Sequence, residues 1–132
     1  MATALTKFPS LEAASQAQLL DIQASLRFNQ GDASNALAQW QQAEKLSGER
    51  GDRLKLRQAQ ALQQLGLHRK AIELLQKQLN LTDPNQLQKT TIAQVPALQI
   101  LAESYRATDR ASVAKQILER GLALAPMMHR SS

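Results

Sequence analysis

The chain has 132 residues, a formal net charge of +5, 43% hydrophobic residues and no cysteine. That length suits one domain with a modest core, and the missing thiols exclude disulfides and thiolate metal sites. No apolar run approaches the roughly 18 residues of a membrane-spanning helix, and Met1–Ser10 has no apolar signal core, so a cytoplasmic protein off the membrane is expected. Only two residues are valine, while Ala, Leu, Gln, Lys, Arg and Glu dominate, so the elements are expected to be helices.

In chain order, residues 1–10 read as a flexible lead-in. Ser10 can cap a helix over 11–29, and residues 30–32 turn into a second helix over 33–46. Residues 47–51 form a loop, and Asp52 can cap a helix over 53–65. Gly66 and Leu67 turn into a helix over 68–80. Asp83-Pro84 reads as a cap followed by proline in a first turn, opening a helical insertion over 84–94. Pro96 removes a donor and disfavours the α region for Val95, so either a short helix ends near Gln94, the favoured reading, or one long helix kinks there. A helix then runs to Ala107 and a last one over 110–125. Pro126 is expected to end it, leaving 127–132 as a disordered tail.

A pattern repeats across these elements. A turn residue is followed five positions on by Ala and four further by a bulky apolar residue: Gly31, Ala36, Trp40; Gly66, Ala71, Leu75; Asp109, Ala114, Leu118. Seven residues before each turn stands another Ala: Ala24, Ala59 and Ala102. Small residues let paired helices approach, and glycine takes the positive φ of a tight turn without steric cost. Three positions after those alanines stand Arg27, Leu62 and Tyr105. Arg27 breaks the apolar pattern, and the adjacent Phe28 can substitute. The first two copies are 35 residues apart, and the third follows after 43.

This arrangement resembles the tetratricopeptide repeat (TPR) family over about residues 17–126. The resemblance implies an all-α fold without a β-sheet: a short right-handed superhelix of about three antiparallel helix pairs, six to seven helices in all. The pairs would be 11–47, 52–81 and 96–125 within a single domain over 11–126. More narrowly, Gly31, Ala36, Trp40, Ala43, Gly51-Asp52, Ala61-Leu62, Leu65-Gly66 and Ala71, with 18 Gln in the chain, resemble the TPR segments that precede cyanobacterial CHAT peptidase domains. The stretch from Gly51 to Gly66 is shorter than in those segments. Such repeats imply a scaffold binding a protein or peptide.

In that family the first helix of each pair lines the concave groove. Here the lining would be Gln18, Asp21, Ser25, Phe28 and Asn29, then Arg53, Leu56, Gln60, Gln63 and Gln64, then Gln99, Glu103 and Arg106. Asp21 stands where a carboxylate-clamp lysine would be, so no chaperone-tail receptor is expected. Arg50, Arg53, Lys55, Arg57, Arg69 and Lys70 form a basic cluster that suits a solvated face, an acidic partner or nucleic acid. No aromatic residue lies between 41 and 104 to stack bases, which argues against nucleic acid as the partner. Nothing after Pro126 would cover the last pair, so Leu101, Ile117, Leu118 and Leu122 are expected to be partly open. Either the chain belongs to a longer array, or Ile117, Leu118 and Leu122 support a homodimer. His68 and His129 lack the spacing of metal ligands, no phosphate loop or nucleophile elbow appears, and no enzyme activity, cofactor or metal is expected.

Overall fold

A computed structural model describes the backbone over residues 9–47, 52–82 and 85–130, and the side chains over 12–47, 53–82 and 85–125. Outside the described residues lie most of the lead-in, the loop at 48–51 with Arg50, and Asp83-Pro84. The side chains of Ser10, Asp52, Met127, Met128 and His129 lie outside them too. The described residues are helical, without a strand. In order they form α1 (Pro9–Asn29), α2 (Ala33–Ser47), α3 (Asp52–Gln64) and α4 (His68–Leu79). Two short 3-10 helices (Gln86–Lys89 and Ile92–Gln94) lead into α5 (Val95–Ala107) and α6 (Ala111–Arg130). Neighbouring helices pack: α1 on α2, α4 on α5, and α5 on α6. The sequence reads as one domain over 11–126, whereas the chain divides within α3 into two compact units, Met1–Ala61 and Leu62–Ser132.

The repeat positions fold alike. Gly31, Gly66 and Asp109 have φ of 90°, 79° and 63°. After each, the next amide donates to a carbonyl five residues back: Asp32 to Arg27 at 2.8 Å, Leu67 to Leu62 at 2.8 Å, Arg110 to Tyr105 at 2.9 Å. This six-to-one bond satisfies a carbonyl orphaned at the helix end and reverses the chain. Ala36, Ala71 and Ala114 then close the first turn of the next helix, donating to Asp32, Leu67 and Arg110. Those three alanines and Ala24, Ala59 and Ala102 are all buried. In the first unit the core gathers Ala17, Ala24, Ala36, Trp40, Ala43 and Leu54, with Phe28 against Trp40 at a ring separation of 5.7 Å. Phe28 thus fills the place that Arg27, paired with Asp32, leaves.

The expected helical insertion is two 3-10 turns rather than an α-helix. It is fastened to α6: Arg120 donates from Nε to Thr90 Oγ1 at 3.1 Å and from Nη2 to Thr90 O at 2.7 Å. Val95 is not driven out of the α region. Its φ and ψ are −56° and −44°, and α5 starts there with Pro96 in the first turn, where no intrahelical partner awaits the missing N–H. Burial of Val95 offsets the proline clash. Pro126 does not end α6, which runs to Arg130, so the expected disordered tail is helical through that residue. A proline loses its own bond and crowds the carbonyl four residues back, a local cost that α6 absorbs in its last turns.

Gly31 and Gly66 have no heavy atom within 4 Å of where a Cβ would sit. Substitution there meets only the backbone penalty of the left-handed region, about 1–2 kcal/mol. Gly66→Ala is expected to lower stability by that amount in urea denaturation; a loss above about 4 kcal/mol, typical of core damage, would contradict the open-space geometry.

Candidate functional site

The expected groove and basic cluster meet in the first unit, and most of their charge is used internally. Asp21 is buried on α1. Its Oδ1 accepts from Trp40 Nε1 at 2.7 Å, and its Oδ2 from Arg53 Nη2 at 3.1 Å. Arg57 Nε stands 3.2 Å from Oδ1 as an ion pair but is not aligned for a hydrogen bond. One carboxylate therefore ties α1 to both α2 and α3. Beside it, Lys55 Nζ lies 2.8 Å from Glu44 Oε2, and Gln58 Nε2 donates to Glu44 Oε1 at 3.0 Å. Burial alone would push the Glu44 carboxyl up, but the Gln58 amide and the Lys55 ammonium outweigh it and hold the pKa below the ordinary value. Asp32 is lowered as well, by the side chain and then the backbone amide of Asn35, against slight desolvation and with help from Arg27. Asp32 caps α2 through that backbone bond.

Asp21 is thus not a free groove residue, and Arg53, Lys55 and Arg57 are not a free basic patch. Gln18, Asn29 and Gln60 remain exposed, while Ser25, Phe28 and Leu56 are half-buried. The same helix α1 carries a feature that the repeat pattern did not single out. Leu19, Ile22 and Leu26 are 64%, 54% and 57% exposed, in a line on the face opposite the buried Ala17 and Ala24. The signal was present as apolar residues at i, i+3 and i+7, but a second apolar stripe on a helix is read as core unless its neighbours are known.

In the second unit the expected groove residue Gln63 is turned inward. Its Nε2 donates to Ile100 O at 2.6 Å and Ser104 Oγ at 2.7 Å. His68 Nδ1 lies 3.4 Å from the same hydroxyl, and Ser104 is fully buried. Gln64 and Gln99 are exposed, and Glu103 and Arg106 pair with each other on the surface. Arg69 and Lys70 are exposed at the start of α4. The expected open residues divide. Leu101 and Ile117 are buried core, whereas Leu118 and Leu122 are 45% and 68% exposed. Ile117 occupies the inward position that the repeat spacing assigned to Leu118, three rather than four residues after Ala114.

No protein-family model matches the chain, and no curated protein matches it. Among the described residues no group of His, Asp and Glu could hold a metal ion, and no helix is long and apolar enough to cross a membrane.

Asp21→Ala removes the partner of the Trp40 indole and of two guanidiniums. A cost of about 2–3 kcal/mol in chemical denaturation is expected, reduced by the exposure of Arg53. Asp21→Ala matching a surface substitution, within about 0.5 kcal/mol, would show that the clasp is dispensable. For pH, the signs are those of depressed carboxylates. Glu44 and Asp32 stabilise the fold above their unfolded values, 4.5 and 3.8, and that stability is lost as pH falls through their lower folded values. The melting temperature is therefore expected to fall on acidification through this range, and Glu44→Gln to make the fall shallower.

Proposed function

We propose that this protein is a TPR-like interaction module that docks an amphipathic helix of a partner protein along the outward face of α1. The observation that carries the reading is the exposure of Leu19, Ile22 and Leu26 in one line. The line spans about 10 Å, two helical turns. Aligned apolar side chains of this size left in water favour a partner that covers them. Their spacing suits a helix that lays its own apolar ridge alongside. The flanks are amides, Gln18 and Gln23, and the one acid within the stretch, Asp21, is turned inward. A ridge with uncharged polar borders fits this surface better than a strongly charged helix.

This reading moves the contact from the expected concave groove, whose Asp21, Arg53 and Gln63 already have internal partners, to the outer side of the same first helix. Nucleic acid is not carried forward, because Asp21 and Glu44 neutralise much of the charge it would need. The narrower resemblance to CHAT-associated segments would make the module a recognition arm beside a peptidase domain. A second reading, self-association, draws on Leu118 and Leu122 at i and i+4 on α6.

The triple variant Leu19→Ser, Ile22→Ser, Leu26→Ser is expected to melt as the native protein does, because its side chains already face water. In affinity capture it should lose partners that the native chain retains. An identical set of captured proteins from both baits would sink the α1 reading. A native mass that falls on dilution, and becomes monomeric in Leu118→Glu, Leu122→Glu, would favour self-association.

A further inference from the structure

A cleft of about 180 Å³ opens in the second unit between α4 and the α5–α6 turn. Arg69, Ile72, Glu73 and Gln76 line it from α4, and Thr108 and Arg110 line it from the turn. Its walls are fixed by bonds already made. Gln76 Nε2 is hydrogen-bonded to the hydroxyl of the buried Tyr105, which joins α4 to α5 beneath the cleft. Thr108 Oγ1 donates to Ser104 O at 3.0 Å, and the Arg110 amide donates to Tyr105 O, so the turn is held to the end of α5. The Arg110 guanidinium stands 5.9 Å from the Tyr105 ring centroid, where the ring face attracts a cation.

The charges in this cleft are not satisfied by one another. Among the described residues, Arg27, Arg53, Lys55, Arg57 and Arg106 form salt bridges, whereas Arg69, Glu73 and Arg110 do not. Two guanidiniums and one carboxylate thus line a recess with a net charge of +1. From these residues we infer that the cleft binds a carboxylate, held between Arg69 and Arg110 with its methylenes toward Ile72. Guanidinium donors match a carboxylate in planar, paired geometry. Glu73 cancels one of the two guanidinium charges, so the net charge of +1 is matched by a monoanion, whereas a phosphate dianion would leave an excess negative charge in the recess. The volume is that of about six waters, which accommodates a carboxylate with a short aliphatic stem. The carboxylate can belong to an acidic side chain of a peptide or to a free small acid. The site lies in a different unit from the α1 stripe and stands whether or not that stripe docks a helix.

The test follows the arginine Nε–Hε resonances of the full chain while it is titrated with three probes: an end-blocked Gly-Glu-Gly peptide, butyrate and inorganic phosphate. Arg69 and Arg110 are expected to shift together and to saturate, while Arg27 and Arg106, paired to Asp32 and Glu103, stay put. Arg69→Gln and Arg110→Gln should each weaken binding by about tenfold, and Glu73→Gln should strengthen it. All three side chains are exposed at the surface, so the variants should keep the native melting temperature. Saturation by the peptide alone assigns a peptide source, and saturation by butyrate assigns a free acid. Non-saturating shifts common to every arginine, unchanged affinity in Arg110→Gln, or phosphate binding as tightly as either carboxylate would overturn the proposal.

Discussion

The left-handed residue that ends each first helix is the constraint on which the rest of the structure depends. Positive φ at Gly31, Gly66 and Asp109 lets the next amide reach back five residues, so each helix stops with its last carbonyls satisfied. The reversal places the alanine five residues on at the first closed turn of the returning helix. In the first and third pairs, where α1 packs on α2 and α5 on α6, only a small side chain fits at that position, and Ala36 and Ala114 are buried there. With four aromatic residues in the whole chain, tight approach of alanine faces has to replace the bulk that larger side chains would supply. Asp109 keeps the geometry without glycine, as the short polar side chains of Asp and Asn tolerate this region.

Close backbones leave little room for water, so polar groups between the helices must be satisfied by the protein itself. The glutamines do much of this. Gln58 bridges Trp40 O and Glu44, Gln63 reaches Ile100 O and Ser104, and Gln76 holds Tyr105. An amide can cross an interface without the desolvation cost of a charge. Asp21 is the exception, a buried carboxylate compensated by an indole and two guanidiniums. That arrangement also explains cations in the early turns of α3, where the helix dipole disfavours them. The neighbouring acids Asp21 and Glu44 offset the dipole there, so the cluster acts as a fastening between helices.

What could be read in the sequence was local. Turn residue, buried alanine and most helix boundaries follow from backbone geometry, and Gly31, Ala36 and Trp40 announce them; the end of α6, five residues beyond the expected 125, is the exception. Phe28 substituting for Arg27 was legible for the same reason. The Asp21 clasp was not, because its partners lie 19 to 36 residues away and nothing local pairs them. Ile117 and Leu118 differ by 100° around α6, and both fit a helical repeat after Ala114. Only the position of neighbouring helices decides which one turns inward. The insertion was legible as helical but not as two 3-10 turns: Gln86–Lys89 and Ile92–Gln94 have helical composition, each is too short to carry an α-helix, and Arg120 fixes the tighter turns from a distance.

The distribution of polar groups also bears on where function resides. Ser104, His68 and Gln63 bring a hydroxyl, an imidazole and an amide together, the ingredients of an acyl-transfer site. Here the hydroxyl has no exposed surface, and it accepts a hydrogen bond from Gln63. A nucleophile must meet its substrate, so this cluster is a packing device between α3, α4 and α5. The features open to a partner lie at the surface: the apolar line on α1, Leu118 and Leu122 on α6, and the arginines at the α4 cleft that form no salt bridge. An interior largely tied by its own hydrogen bonds and a surface with open apolar and cationic positions are what the proposed binding role draws on.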